Sequence, residues 1–307
     1  MRHAGPEALF YEEDKQMDAT TAMYVAQGIH GLAYGMVLFL VASGLTLIFG
    51  MMGILNVAHT AFFMLAAYFC YQIVAWTGNF WLALLVAPIA TAVVGVLVER
   101  FLLRRIHALG LLFELTLTIG VMFGIMEGVK VFWGTENLPL AVPALLEGLV
   151  NIGGMEYPIY RLFIIGLSLV VLGFLAFILY KTRLGMVVRA AVADADMVNA
   201  LGINVPRLFM FVFGVGTWLA GMAGVTIAPI LTVFPGLADQ MGMDAFIVVI
   251  VGGFGSLGGA LLVALISGLL SSYGVQFVSQ LAPVLMFIFM AIVLAIKPTG
   301  LFGEREG

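Results

Sequence analysis

Charge is scarce in this chain. Of its 307 residues only 10% are Asp, Glu, Lys or Arg, while 63% are hydrophobic. Soluble domains carry about 25% charged residues. A water-soluble fold of this size has no means of hiding so much apolar surface, so the natural solvent is lipid. The thirteen Lys and Arg form no basic stripe and the net charge is −4, which leaves no case for nucleic acid as a partner. Cysteine is nearly absent: Cys70 stands alone in an apolar stretch, so a disulfide framework and a cysteine metal cluster are both excluded. Also missing are the Gly-x-x-x-x-Gly-Lys-Ser/Thr nucleotide loop, His-Glu-x-x-His and Gly-x-Ser-x-Gly. No catalytic residue, metal ligand or cofactor is therefore expected on this chain. Any energy source sits on another chain, or transport is passive.

What is present is apolar sequence in long runs. A spanning helix needs about 20 mostly apolar residues. Stretches near that length run over Tyr24–Phe49, Ile54–Trp76, Phe80–Val98, Leu111–Trp133, Leu162–Tyr180, Leu208–Ile230 and Leu281–Ile296. The region Met243–Phe277 is apolar too but is interrupted by Gly252, Gly253, Gly255, Gly258 and Gly259. It reads as one kinked helix, or as a half-helix followed by a full one. The expectation is an all-α integral membrane bundle of about 8 transmembrane helices with one Gly-broken segment. Residues 1–23 read as a polar, acidic tail without the basic start of a cleavable signal peptide, residues 24–297 as the membrane domain, and 298–307 as a C-terminal tail.

Loop charges set the orientation. Arg100, Arg104 and Arg105 follow the third span, and Lys181, Arg183, Arg189 and Arg207 follow the fifth. Residues 134–160 hold Glu136, Glu147 and Glu156 but no Lys or Arg. The basic loops face the cytoplasm, the acidic one and the N-terminal tail face outward. Lys297 and Arg305 point to a cytoplasmic C-terminus, whereas eight plain crossings put it outside. The side of that end thus turns on whether the Gly-broken region crosses twice.

The longest cytoplasmic loop, 181–207, reads KTRLGMVVRAAVADADMVNALGINVPR. From Met186 to Leu201 it has the composition of a short helix, with Asp194 and Asp196 mid-loop, Gly202 as its C-terminal cap and Pro206 blocking continuation. Such an amphipathic helix either docks into a partner's groove or merely connects two spans.

Here the pattern Thr182-x-x-Gly185-x3-Arg189-Ala190, then Asp194 or Asp196, then Ala200-Leu201-Gly202-Ile203, resembles the cytoplasmic loop of branched-chain amino-acid ABC transporter permeases. Gly31–Tyr68 is similar to the first two helices of that family, with Gly50, Gly53, Asn56, Ala58 and His59 in place. Thr118–Gly134, Leu219–Val225 and Phe246–Leu270 match further motifs in order. The likeness is to the LivH-type subunit. It implies a second permease subunit, two cytoplasmic ATPase subunits that carry ATP and Mg, a periplasmic substrate-binding protein, and a place in the bacterial inner membrane. The resemblance makes Gly185, Arg189, Asp194, Asp196, Ala200 and Gly202 the ATPase-coupling residues. Two departures stand out: Thr60 where the family usually has Gly, and Glu127 where an amide is common. Relatives carry branched-chain amino acids, urea, short amides or aromatic acids. An ion-coupled secondary transporter is the alternative from another class, disfavoured by the few charges in the spans.

Candidate pathway residues follow from polarity in apolar surroundings. Asn56 and His59, three apart, would share a helix face, lining the solute path or bonding a neighbouring helix. Glu127 and Lys130 either pair at the outer interface or meet a solute. Glu114, beside the Arg100–Arg105 loop, reads as a structural ion-pair partner. The backbone at Gly252, Gly253 and Gly255 either faces a solute or packs tightly. Trp76, Trp81, Trp133 and Tyr157 read as an interfacial aromatic belt.

Overall fold

A computed structural model describes residues 19–152 and 155–303. Among the described residues eleven α-helices of six residues or more are laid out as α1 Ala19–Met52, α2 His59–Thr77, α3 Phe80–Val98, α4 Leu111–Trp133, α5 Ile159–Lys181, α6 Arg183–Ala193, α7 Ala195–Ala200, α8 Val205–Ile227, α9 Leu237–Gly252, α10 Leu257–Val278 and α11 Ala282–Ile296. The all-α membrane bundle expected from composition is what the chain forms. Seven of these helices are long and apolar enough to cross a bilayer. Most of the expected tail, residues 1–18, lies outside the described residues; 19–23 already belong to α1.

Helix α1 has 34 residues, about 51 Å at 1.5 Å per residue, against a hydrocarbon core of about 30 Å. It runs through the middle of the bundle: 78% of its most apolar window is buried, against 17% for α4. Helices α2 and α8 complete the inner layer, and α3, α4 and α5 form the lipid-facing side. Antiparallel α1 and α10 approach closely because small residues face each other; a Cβ on Gly35 would stand 2.7 Å from the Ala264 carbonyl oxygen. At the outer end Gln27 Nε2 donates to the Ser272 carbonyl (2.5 Å) and Ser272 Oγ donates back to that of Gln27 (2.8 Å).

Local chemistry ends and starts the helices. Gly78 (φ +67°) closes α2, and Asn79 Oδ1 accepts from the N–H groups of Trp81 and Leu82 to open α3. Beyond α3 the helix widens to a π-turn over Glu99–Leu103. Outside the membrane, strands β1 (Leu149–Ile152) and β2 (Met155–Pro158) pair antiparallel and lead directly into α5. Leu138 and Val233 exchange backbone hydrogen bonds of 2.9 and 3.0 Å, tying the loop after α4 to the one after α8.

The Gly-broken region makes two antiparallel passes through the bundle. Helix α9, of 16 residues, starts beside Val233 at the outer side and ends where Phe254 packs tilted against Phe49, near the inner end of α1 (ring centroids 4.3 Å). Helix α10 returns outward and α11 inward. Residues 298–303 are no free tail: they fold back so that Leu301 and Phe302 donate to the carbonyls of Val251 and Gly252 (2.8 and 3.1 Å). That places the C-terminal segment on the side of the basic loops, as Lys297 and Arg305 suggested.

Candidate functional site

The cytoplasmic loop forms two helices, not the single one expected over 186–201. Asp194 breaks them. Its backbone is extended (φ −158°) and its Oδ1 accepts from the Met197 N–H at 2.8 Å, so it caps α7. A short polar side chain competes with the helix for backbone groups and wins here. Gly202 (φ +88°) ends α7 as expected, with Ile203 N–H bonded to the Val198 carbonyl (3.3 Å). Pro206 lies in the first turn of α8, where its missing N–H costs nothing.

The motif Thr182-x-x-Gly185-x3-Arg189 is a joint. All three residues engage the last turn of α5. Thr182 Oγ1 donates to the Ile178 carbonyl (2.6 Å) and accepts from the Gly185 N–H (3.2 Å). A Cβ on Gly185 would collide with the carbonyls of Ile178 and Leu179. Arg189 Nη1 donates to the Leu179 carbonyl, and the guanidinium lies 5.6 Å from the Tyr180 ring centroid. The end of a helix is rich in unmet carbonyls, and α6 is fastened through them. Val188 and Ala191 turn inward, while Met186, Met197 and Leu201 stay exposed (62%, 57% and 74%). Asp196 and Ala200 lie four apart on the exposed side of α7.

Between this joint and the inner end of α1 lies a cavity of about 1100 Å³, lined among others by Thr46, Gly50, Tyr180, Arg189, Gly255 and Phe302. Its wall includes the turn between α9 and α10. Gly253 (φ +96°) and Gly255 (φ +78°) take backbone conformations open to glycine, and a Cβ on Gly253 would collide with the backbone of Gly303. The Gly252 carbonyl, offered in sequence to a solute, is taken by Phe302. These glycines therefore serve a packed turn, and Gly255 alone of the three lines the cavity.

Asn56 does not share a helix face with His59. Helix α1 stops at Met52, Gly53 (φ +68°) turns the chain, and residues 53–58 run without helix until α2 begins at His59. A stop near here was expected between the spans Tyr24–Phe49 and Ile54–Trp76; the late start of the second helix was not, because Ile54, Leu55 and Val57 suit a helix and an extended segment alike. The segment re-enters the interior: Ile54, Asn56 and His59 have no accessible surface. His59 Nε2 donates to the Val41 carbonyl at 3.1 Å; a carbonyl only accepts, so Nδ1 is left as an acceptor. That Nδ1 and both side-chain amide atoms of Asn56 have no hydrogen-bond partner among the described residues. Ala58, at the head of α2, has no side chain to cap it. Thr60, next along, packs against Gly242 (3.4 Å from where its Cβ would stand).

The remaining candidates settle as follows. Glu127 pairs with Lys130 at 2.6 Å on the surface. Buried Glu114 bonds His107 Nδ1 at 2.5 Å, not an arginine of the loop. Tyr157 is no belt residue: it is buried, 2.7 Å from His30 Nδ1, and burial pushes its phenol above the usual range against the pull of Arg161. Trp133 Nε1 donates inward to Gln72 (2.8 Å), while Trp76 is exposed as a belt residue should be.

Residues 29–296 match the family described as branched-chain amino acid transport system / permease component. This chain belongs to that permease family. It is 28% identical over 299 residues to the high-affinity branched-chain amino acid transport system permease protein BraD of Pseudomonas aeruginosa, covering 92% of this chain and 97% of BraD. LivH of Escherichia coli K12 is 28% identical over 302 residues (92% and 96% covered), and the probable LivH of Methanocaldococcus jannaschii 27% over 293 residues (89% and 90%). No solved structure matches the chain. The permease is thus a multi-pass inner-membrane subunit of an ABC-type transport system, not an enzyme. In the permease two further polar groups went unnoticed in sequence. Tyr34 of α1 donates to Asp244 Oδ2 of α9 at 2.7 Å. The available signal was a lone acid inside an apolar segment.

Proposed function

We propose that this permease pairs with a second permease subunit and carries branched-chain amino acids inward, driven by two cytoplasmic ATPases and supplied by an external binding protein. ATP and Mg belong to the ATPases. The observation that supports this reading is the α6–α7 segment: an exposed apolar crest of Met197 and Leu201, one helical turn apart, on a base fastened to the α5 carbonyls by Thr182, Gly185 and Arg189. A mere connector has no use for a rigid mount under an apolar crest. ATPase closure would shift the crest, and α5 with it. Solute and nucleotide then favour opposite states of the path, each to the extent that it binds one state better.

The test is copurification of the tagged chain from its native membrane, followed by ATP-dependent leucine uptake in liposomes. ATPase subunits are expected with the wild type and are expected to be lost from a Met197→Asp/Leu201→Asp double variant that still folds. A chain that purifies alone and moves solute without ATP restores the secondary-transporter reading.

A further inference from the structure

Helix α9 carries polar residues on its exposed face. Asp239, Gln240 and Met243 are exposed, and Asp244, one turn below Gln240, is part-buried. Asp239 sits in the first turn, where a carboxylate favours the helix dipole. Asp244 has no such excuse, being in the middle of a membrane helix. Among the described residues its hydrogen-bond partner is the Tyr34 hydroxyl, which also lies 3.8 Å from Met241 Sδ. Among the described residues the ion pairs are His107–Glu114 and Lys130–Glu127, so no cation of the described chain meets Asp244. A carboxylate at membrane depth is expensive without a partner and belongs to a wetted cavity or a binding site.

We infer that Asp244, held by Tyr34, recognises the ammonium group of the solute. An ammonium brings a positive charge and three N–H donors to a part-buried carboxylate that has the Tyr34 hydroxyl for a partner and no cation of the described chain. Urea and short amides also bring donors but leave the carboxylate uncompensated. The inference rests on the permease reading above and sharpens it: the solute is an amino acid with a free amine. The polar face of α9 leads inward to Asp244 from the external loops.

The experiment uses the whole transporter, with its ATPases and binding protein, reconstituted in liposomes and assayed for ATP-driven uptake of radiolabelled leucine. Asp244→Asn is expected to lower uptake about tenfold or more while the subunits still copurify. Asp244→Glu should restore part of the uptake. Asp244→Asn at the wild-type rate overturns the inference. If Asp244→Asn does not assemble, Tyr34→Phe decides, because it removes only a hydroxyl: a severalfold rise in KM for uptake supports the role, and an unchanged KM overturns it. A wild-type transporter that prefers urea or acetamide to leucine overturns the inference and leaves the permease reading standing. ATP-independent movement by the isolated chain sinks the permease reading itself, and the inference with it.

Discussion

The chain breaks its helices inside the protein at two places, and the breaks are built in opposite ways. At residues 253–256 every device for closing a break is used. Glycines take the positive φ angles, Ser256 Oγ accepts from the Gly259 N–H to cap α10, and the C-terminal segment donates to the last carbonyls of α9. At 53–58 the chain re-enters the core with an uncapped helix start, an Asn56 amide with no partner and a His59 Nδ1 with none. Buried polar groups are ordinarily satisfied. A break with its groups met is a structural turn; one with them unmet has kept them for something that comes and goes.

The contrast is sharpest at Gly253. Gly253→Val forces a branched side chain into a positive φ and into the Gly303 backbone, and should cost on the order of 3 kcal/mol or more, read as a large drop in melting temperature in detergent. Wild-type melting would mean the second break is not the rigid one. Asn56→Leu should do the reverse. Removing an unsatisfied buried amide is expected to leave stability unchanged, or raise it by up to about 2 kcal/mol, while leucine uptake by the complex falls severalfold; a lowered melting temperature would make Asn56 structural and erase the difference between the breaks. Ser256→Ala removes only a cap, and a loss of about 1 kcal/mol in stability with uptake intact is expected. Glu127→Gln, in an exposed pair far from either break, should change neither melting nor uptake measurably.

The same contrast explains what was readable from sequence. The second break was visible because glycine is the residue that such a turn demands, and five of them interrupt one apolar run. The loop charges gave the sidedness because Lys and Arg avoid lipid. The first break was read between the spans ending at Phe49 and starting at Ile54, but its length was not: Ile54, Leu55 and Val57 are as apolar as a helix interior, and α2 begins only at His59. Asp194 misled for a related reason. Its composition fits a short helix, but its side chain finds a better partner in the next helix's N–H than in continuing the first. Of the candidate residues on the cytoplasmic loop, Arg189 finds its partner in the Leu179 carbonyl of α5, ten residues back, which no local pattern announces. The Tyr34–Asp244 pair spans 210 positions, a separation that no periodicity reports.

The joint at the inner end of α5 has a counterpart at the outer end. Strand β2 passes without a loop into Ile159, and Tyr160 OH bonds the Thr226 carbonyl of α8 at 2.8 Å. One continuous rod of 23 residues, about 35 Å long, therefore joins a hairpin outside the cell membrane to the crest inside it. A stiff strut of this kind needs no relay of side chains: pressure on the hairpin and a pull on the crest load the same beam, so events on the two faces are mechanically in series.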